Sequence, residues 1–373
     1  MRGRGTDAGF VDGVERTCTT AKSADDLFEA LSHEVANAVP FDASVWFGVD
    51  PATLLAVAPA RLEHQDSAYC NVFWHNEFHS QDVALFRDLA RQAVPAASLR
   101  QTTGDRPVRS ARYRDMMRPL GWGDDLRVVF RTGGRTWGMA ALLRDEGRPA
   151  FDADDVALMS AISPVVGAAI RMRAAVEVSS PVLSTAPGVM VFDADGVLVS
   201  ANDEGTRWLA EIDGTSGNRL QRWVGGSGPA GSIVPVLQRA RAVAAGHEEG
   251  PARLRFRDRS GRWLVLHASS LLGGSGDGMV AVVVEPAKSA EIAPIVMEAY
   301  GLAPRERDVV QAIARGLSTP EIAASLFLSA HTVRDYIKAV FEKTGVSSRG
   351  ELVAKLFAEH YLEPVHQAAV VVD

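Results

Sequence analysis

Residues 318–345 read STPEIAASLFLSAHTVRDYIKAVFEKTG. Ser318-Thr319-Pro320-Glu321 is a capping box with proline inside the first turn, and it predicts a short helix through Leu326. Ser329 caps a second helix, Ala330 to Lys343, which Gly345 ends. Outward on the N-terminal side, Pro304 and Glu306 suit the first turn of a helix through Ala314, stopped by Gly316. On the C-terminal side, Ser348-Arg349-Gly350-Glu351 is a further capping box opening a helix to about Tyr361. Val309, Ile313, Ile322, Leu326, Val333, Ile337, Val340 and Leu352 can share one small core. The expectation is an all-α four-helix domain over residues 302–363.

The helix after Ser329 has two faces. Val333, Ile337, Val340 and Thr344 fall on one; His331, Arg334, Asp335 and Lys338 fall on another at the same spacing. An isolated polar stripe is most often a solvated face. Beside three other capped helices it suits a recognition helix in the major groove of double-stranded DNA. Arg334 matches guanine in a bidentate pair and Asp335 the amine of cytosine, with His331 and Thr332 at the same end. Lys338 and Lys343 suit phosphates, as do the free amides at the helix starts near Ser318 and Ser329. Eight Lys and Arg side chains between Leu302 and Leu362 face seven Asp and Glu, so the domain is nearly neutral. Specific binding then needs two copies, as on a pseudo-palindromic site.

These segments resemble the LuxR-type (NarL/FixJ-like) helix-turn-helix family: Leu302-Ala303-Pro304-Arg305-Glu306, Gly316-Leu317-Ser318, Glu321-Ile322-Ala323, Leu328-Ser329, Thr332-Val333-Arg334 and Lys343-Thr344-Gly345-Val346. The resemblance implies that the third helix reads DNA through Arg334, Asp335 and Lys338. It also implies a dimer contact on the fourth helix, at Leu352, Val353 and Leu356. Ala303, Pro320 and Tyr336 depart from the family pattern, and none removes a DNA-facing residue.

The chain of 373 residues is 47% apolar and 23% charged, with a net charge of −7. That is ordinary globular composition, and it leaves any nucleic-acid contact to a local patch. Cys18 and Cys70 are too few for a disulfide framework and form no C-x-x-C pair. Met1 to Gly9 lacks an apolar signal core, and Val156 to Ile170, interrupted by Ser160, Ser163 and Pro164, is too short to span a bilayer. A cytoplasmic protein without membrane contact is expected.

Upstream, residues 1–20 read as a flexible arm and 21–178 as one α+β unit. That unit has helices at Ala24–Val39, Asp82–Ala93, Ser110–Arg118 and Asp152–Val178. Its strands are Ala43–Val49, Leu54–Ala58 and a hairpin across Gly133-Gly134. Residues 179–286 form a smaller α+β unit with a first hairpin at Asp193-Ala194-Asp195-Gly196. A linker helix fills 287–301, and 364–373 is a tail. By element order the first unit resembles a GAF domain. The second, with Asp195-Gly196 and Ala201-Asn202, resembles a PAS domain. Both resemblances imply a small-molecule pocket or a dimerisation surface.

Trp46, Phe73, Trp74, Phe78, Met116 and Trp122 are the candidate pocket lining for an apolar or ring-bearing ligand, with plain core packing as the simpler reading. His75 and His79 stand four apart, but a third ligand is not evident, so no metal or other cofactor is expected. The chain has no P-loop, no receiver-like acidic set and no nucleophile–base pair, so an enzyme is not expected. The expected function is a homodimeric transcriptional regulator sensing a small molecule, with RNA polymerase as a further partner. The alternative is a constitutive regulator whose front domains only dimerise or bind proteins.

Overall fold

The computed structural model describes residues 4–64, 70–175, 186–213, 233–258, 262–272 and 278–358. The tail 364–373, the end of the expected four-helix domain (359–363) and the 178/179 boundary lie outside the described residues. The chain divides into two compact units. One holds residues 1–170 and 178–286, the other 171–177 and 287–373.

The first unit opens with α1 (Arg4–Thr20) and α2 (Ala24–Ala38). Residues 4–20 are therefore a helix, not the flexible arm expected from the Gly- and Arg-rich start. Phe10, Val14 and Cys18 are buried in the core beside Leu27, Leu31 and Val35, and that apolar stripe fixes the segment. Then follow β1 (Ala43–Val49), β2 (Ala56–Glu63), α3 (Cys70–His79), α4 (Phe86–Leu89), β3 (Ala96–Ser98) and α5 (Leu99–Thr103). A π-helical turn at Tyr113–Met117 leads to β4 (Trp122–Thr132), β5 (Arg135–Asp145) and the long α6 (Ala153–Ala175).

The helix expected over Asp82–Ala93 shrinks to α4. Ala84 takes a left-handed backbone at φ 52°, which a regular helix does not admit, and the Asp82 carboxylate is drawn to Ser110 Oγ and the Arg112 amide at 2.7 and 2.8 Å. The helix expected at Ser110–Arg118 is the π turn plus a 3₁₀ turn at Arg118–Leu120.

A second set of strands begins with β6 (Gly188–Phe192) and β7 (Leu198–Ala201). Then come α7 (Asp203–Asp213), α8 (Ile233–Ala244), β8 (Arg253–Arg257), β9 (Trp263–Ser270) and β10 (Val280–Pro286). Both sheets are five-stranded. Their orders, β2-β1-β5-β4-β3 and β7-β6-β10-β9-β8, are the same path: second, first, fifth, fourth, third. Every pairing is antiparallel.

α2 and α6 cover one face of the first sheet, where Trp46, Phe130 and Leu142 meet Leu31, Leu158 and Ile162. α6 is long and apolar enough to cross a membrane by length and composition. Here Leu158, Met159, Ile162 and Val166 are buried in that core, and Ser163 Oγ donates to the Val129 carbonyl at 2.7 Å. The other face carries α3 and α4, and its apolar core runs on without interruption into the second sheet.

The seam between the sheets is polar at fixed points. Asp50 takes a bidentate, buried Arg255 at 2.9 and 2.7 Å, Gln238 Nε2 donates to Asn71 Oδ1, and Glu248 pairs with Arg87. These three pairings join two separately patterned α+β segments in one compact unit.

The second unit contains α9 (Ser289–Ala299), α10 (Pro304–Ala314), α11 (Thr319–Leu326), α12 (Ala330–Thr344) and α13 (Arg349–Val353), the last continuing as a π turn to Ala358. Val309, Ile313, Ile322, Val333, Val340 and Leu352 are buried as periodicity predicts, while Leu326 and Ile337, expected in the same core, are only half-buried.

Candidate nucleic-acid interface

The start of each helix in the second unit is held by its own side chains. Ser318 donates both its amide and its Oγ to Glu321, at 2.7 and 2.6 Å. Ser329 Oγ accepts from the Thr332 amide at 3.0 Å and lies 2.9 Å from Thr332 Oγ1. At α10 the cap residue is Ala303, so half of a capping box remains: its amide donates to Glu306 Oε2 at 2.6 Å. Arg349 fixes the approach to α11 by donating to the Leu317 carbonyl and to Thr319 Oγ1 at 2.8 and 2.7 Å.

On α12, Val333, Val340 and Thr344 are buried while His331, Arg334, Asp335 and Lys338 are exposed. The polar stripe is thus presented on one turn-to-turn line. Weak pairings run along it: His331 with Asp335 at 3.7 Å, and Lys338 with Glu342 at 4.0 Å. Exposed contacts of that length contribute little, so the side chains remain available to a ligand. Arg334 forms no ion pair among the described residues.

Lys343 differs. Its ammonium lies on both oxygens of the buried Glu306 at 2.8 and 2.7 Å, and 3.4 Å from the Gly301 carbonyl. The phosphate contact expected of Lys343 is replaced by a tie between the end of α12 and the start of α10. The pairing crosses 37 positions, which helix periodicity does not reveal.

Leu352 and Leu356, expected at a dimer contact, are both 0% exposed. The π turn that carries Leu356 packs against α9, and Lys355 Nζ lies 5.5 Å from the Tyr300 ring. Those two leucines are core residues of their own chain, and Val353 beside them is partly exposed.

The aromatic residues expected to line one pocket separate. Trp46 lies on the α6 side of the first sheet, stacked 5.9 Å from Phe130. Met116 and Trp122 join a satellite cluster with Leu99 and Tyr113. Trp74 and Phe78 line a cavity of about 600 Å³ between the two sheets, together with Phe86 and Met139. Phe73 stands behind them, 5.1 Å from Trp74.

Beneath the cavity runs a buried charge network that periodicity did not disclose. Arg127 donates to Glu77 at 2.8 Å and to Asp125 at 3.1 Å, and Arg112 donates to Asp125 at 3.0 Å. The Arg127 guanidinium lies over the Phe86 ring at 4.7 Å. Burial pushes the Glu77 carboxyl up, against the pull of Arg127 and Arg112. Arginine inside the apolar run Leu126-Arg127-Val128-Val129-Phe130 was the available signal.

His79 stacks on His75 at 4.6 Å, and its Nδ1 lies 3.3 Å from His247 Nδ1. Burial and the neighbouring His75 hold His79 below the usual histidine range. No group of three His, Cys, Asp or Glu suited to a metal occurs among the described residues.

Residues 301–356 match the family model described as bacterial regulatory proteins, luxR family. The probable transcriptional regulatory protein NarL of Mycobacterium tuberculosis is 37% identical over 76 residues, 20% of this chain and 32% of that protein. The chain thus spans about a third of that relative's length. The spore germination protein GerE of Bacillus subtilis is 39% identical over 62 residues, 17% of this chain and 84% of that protein. Among solved structures, Escherichia coli SdiA superposes with a TM-score of 0.28 at 10% identity, covering 92% of this chain and 96% of that one, too low a score to bear on this fold.

Proposed function

We propose that this chain, which belongs to the LuxR family of bacterial regulatory proteins through its C-terminal domain, is a cytoplasmic, dimeric transcriptional regulator that senses a small molecule. The observation that carries the reading is the exposed line of His331, Arg334, Asp335 and Lys338 on a capped α12 within the matched residues. Arg334 and Asp335 read base edges, Lys338 holds phosphate, and the amides near Ser318 and Ser329 hold phosphate from the helix starts. RNA polymerase is the partner through which a bound dimer acts on transcription. The dimer uses a surface other than Leu352 and Leu356, since both are core.

The first unit is the sensor and has no catalytic role. Its shared strand order supports GAF-like and PAS-like segments, residues 21–178 and 179–286, and the cavity between their sheets supports ligand binding. A ligand changes DNA affinity only if it binds two arrangements of the protein unequally.

The test is DNase footprinting of the full chain with Arg334→Ala. Removing a bidentate base contact costs about 1–3 kcal/mol of specific affinity and relaxes preference at the base it reads. A variant footprint equal to wild type would place the reading surface elsewhere.

A further inference from the structure

The cavity between the two sheets has an apolar floor and a basic mouth. Trp74, Phe78, Phe86 and Met139 supply the floor. Arg87, Arg91 and Arg239 stand at the mouth, with Glu248 and Glu249 on the loop after α8. Glu77 also lines the space, but its charge is matched by Arg127 at 2.8 Å. Three guanidiniums against two carboxylates leave one positive charge in excess.

The arrangement of these charges is specific. The Glu248 carboxylate lies between two arginines, one oxygen paired with Arg87 and the other with Arg239 at 2.9 Å. Arg91 is exposed and forms no ion pair among the described residues. Arg239 also donates to the Glu249 carbonyl at 2.6 Å, while its buried Nε has no hydrogen-bond partner among the described residues. Its guanidinium lies 5.7 Å from the Phe78 ring, so the basic group and the apolar floor are contiguous. Burial, with Arg87 and Arg91 nearby, holds Arg239 below the usual arginine range against the pull of Glu248.

We propose that this cavity binds a small monocarboxylate with a flat apolar body. The carboxylate is held by Arg87, Arg91 and Arg239, and the body lies against Trp74, Phe78 and Phe86. Glu248 is the built-in carboxylate that yields its place. Guanidinium–carboxylate pairs are bidentate and strong in such partly enclosed surroundings. One excess positive charge matches one negative charge on the ligand. A volume of about 600 Å³ accommodates a ligand with one or two rings. Because Arg87 and Arg91, on and just after α4, and Arg239 on α8 grip the same group, an occupied cavity ties the two α+β segments together. The inference rests on the reading of the first unit as a sensor and names its ligand class.

The test is isothermal titration calorimetry of the full chain with matched pairs: phenylacetate against phenylacetamide, and indole-3-acetate against indole-3-acetamide. Wild type is expected to bind at least one acid saturably and at least tenfold more tightly than its amide. Arg91→Gln, at an exposed position with no ion pair to lose, weakens the acid at least fivefold and leaves the melting temperature unchanged.

Glu248→Gln has the opposite sign. It lowers the melting temperature of the free chain, tightens acid binding at least fivefold, and recovers stability when the acid is added. A merely structural Glu248 gives the first effect without the other two. Equal binding of acid and amide, or no acid binding by either wild type or Glu248→Gln, overturns the proposal. Acid binding that leaves the DNA footprint unchanged supports this site and overturns the sensor reading. A neutral compound that changes the footprint while no acid binds does the reverse.

Discussion

The Asp124 carboxylate accepts from Ser98 Oγ, the Arg100 amide and the Phe151 amide at 2.9, 3.0 and 2.9 Å. Burial, with Asp125 adjacent, still pushes its pKa up to about 6 against those three donors. In the unfolded chain the same group titrates near 4. Between those values the folded chain binds more protons than the unfolded one, so stability falls as pH rises through about 4 to 6. A rise of about two units corresponds to roughly 3 kcal/mol, present as a cost above pH 6. Urea unfolding of wild type and Asp124→Asn at pH 4.5 and pH 7 isolates the contribution of this carboxyl. The asparagine variant is expected to lack that share of the pH dependence, whatever its absolute stability; identical pH slopes in the two proteins would contradict a raised Asp124 carboxyl. Neither the raised carboxyl nor the tie of Lys343 to Glu306 was legible in the sequence, because the first depends on tertiary burial and the second on a partner 37 positions away. The exposed line of Arg334, Asp335 and Lys338 was legible because a single helix sets their spacing.

At the scale of elements, close backbone approach governs where α6 lies. A Cβ at Gly167 would meet the backbone nitrogen and carbon of Arg131 at 2.9 Å, so only glycine lets α6 sit on β4 here. Gly167→Ala is expected to destabilise the chain by about 1–3 kcal/mol in urea unfolding. An unchanged midpoint would mean that α6 does not approach β4 this closely. Gly205 plays the same part under α7, 2.7 Å from the Val189 carbonyl for an added Cβ.

Helices with a clean apolar stripe, such as α2, and strands flanked by turn residues, such as β4 and β5 about Gly133-Gly134, were readable within a few residues. The stretch between α3 and β4 was not. Buried charges there take backbone amides as partners: Glu77 accepts from the Phe86 amide at 2.7 Å and Asp82 from Arg112. Side-chain capping of this kind overrides the apolar period of Asp82–Ala93.

At the scale of the molecule, the sequence pattern separates two α+β segments, and one compact unit joins them. The join was hidden because its pairs are distant, as Asp50 and Arg255 are across 205 positions. The shared strand order was equally hidden, since topology leaves no trace in composition. The DNA-binding domain was the most legible part, because caps, glycine stops and a two-faced helix agree within sixty residues.

The central claim is that α12 reads DNA from a pair of chains. Binding-site selection from a random duplex library with the full chain tests it directly. Wild type is expected to enrich an inverted repeat, its half-sites one helical turn (about 10 bp) or a multiple apart. Arg334→Ala is expected to relax preference at one base of each half-site. Enrichment of no sequence, or the same sequence enriched equally by the variant, would contradict it.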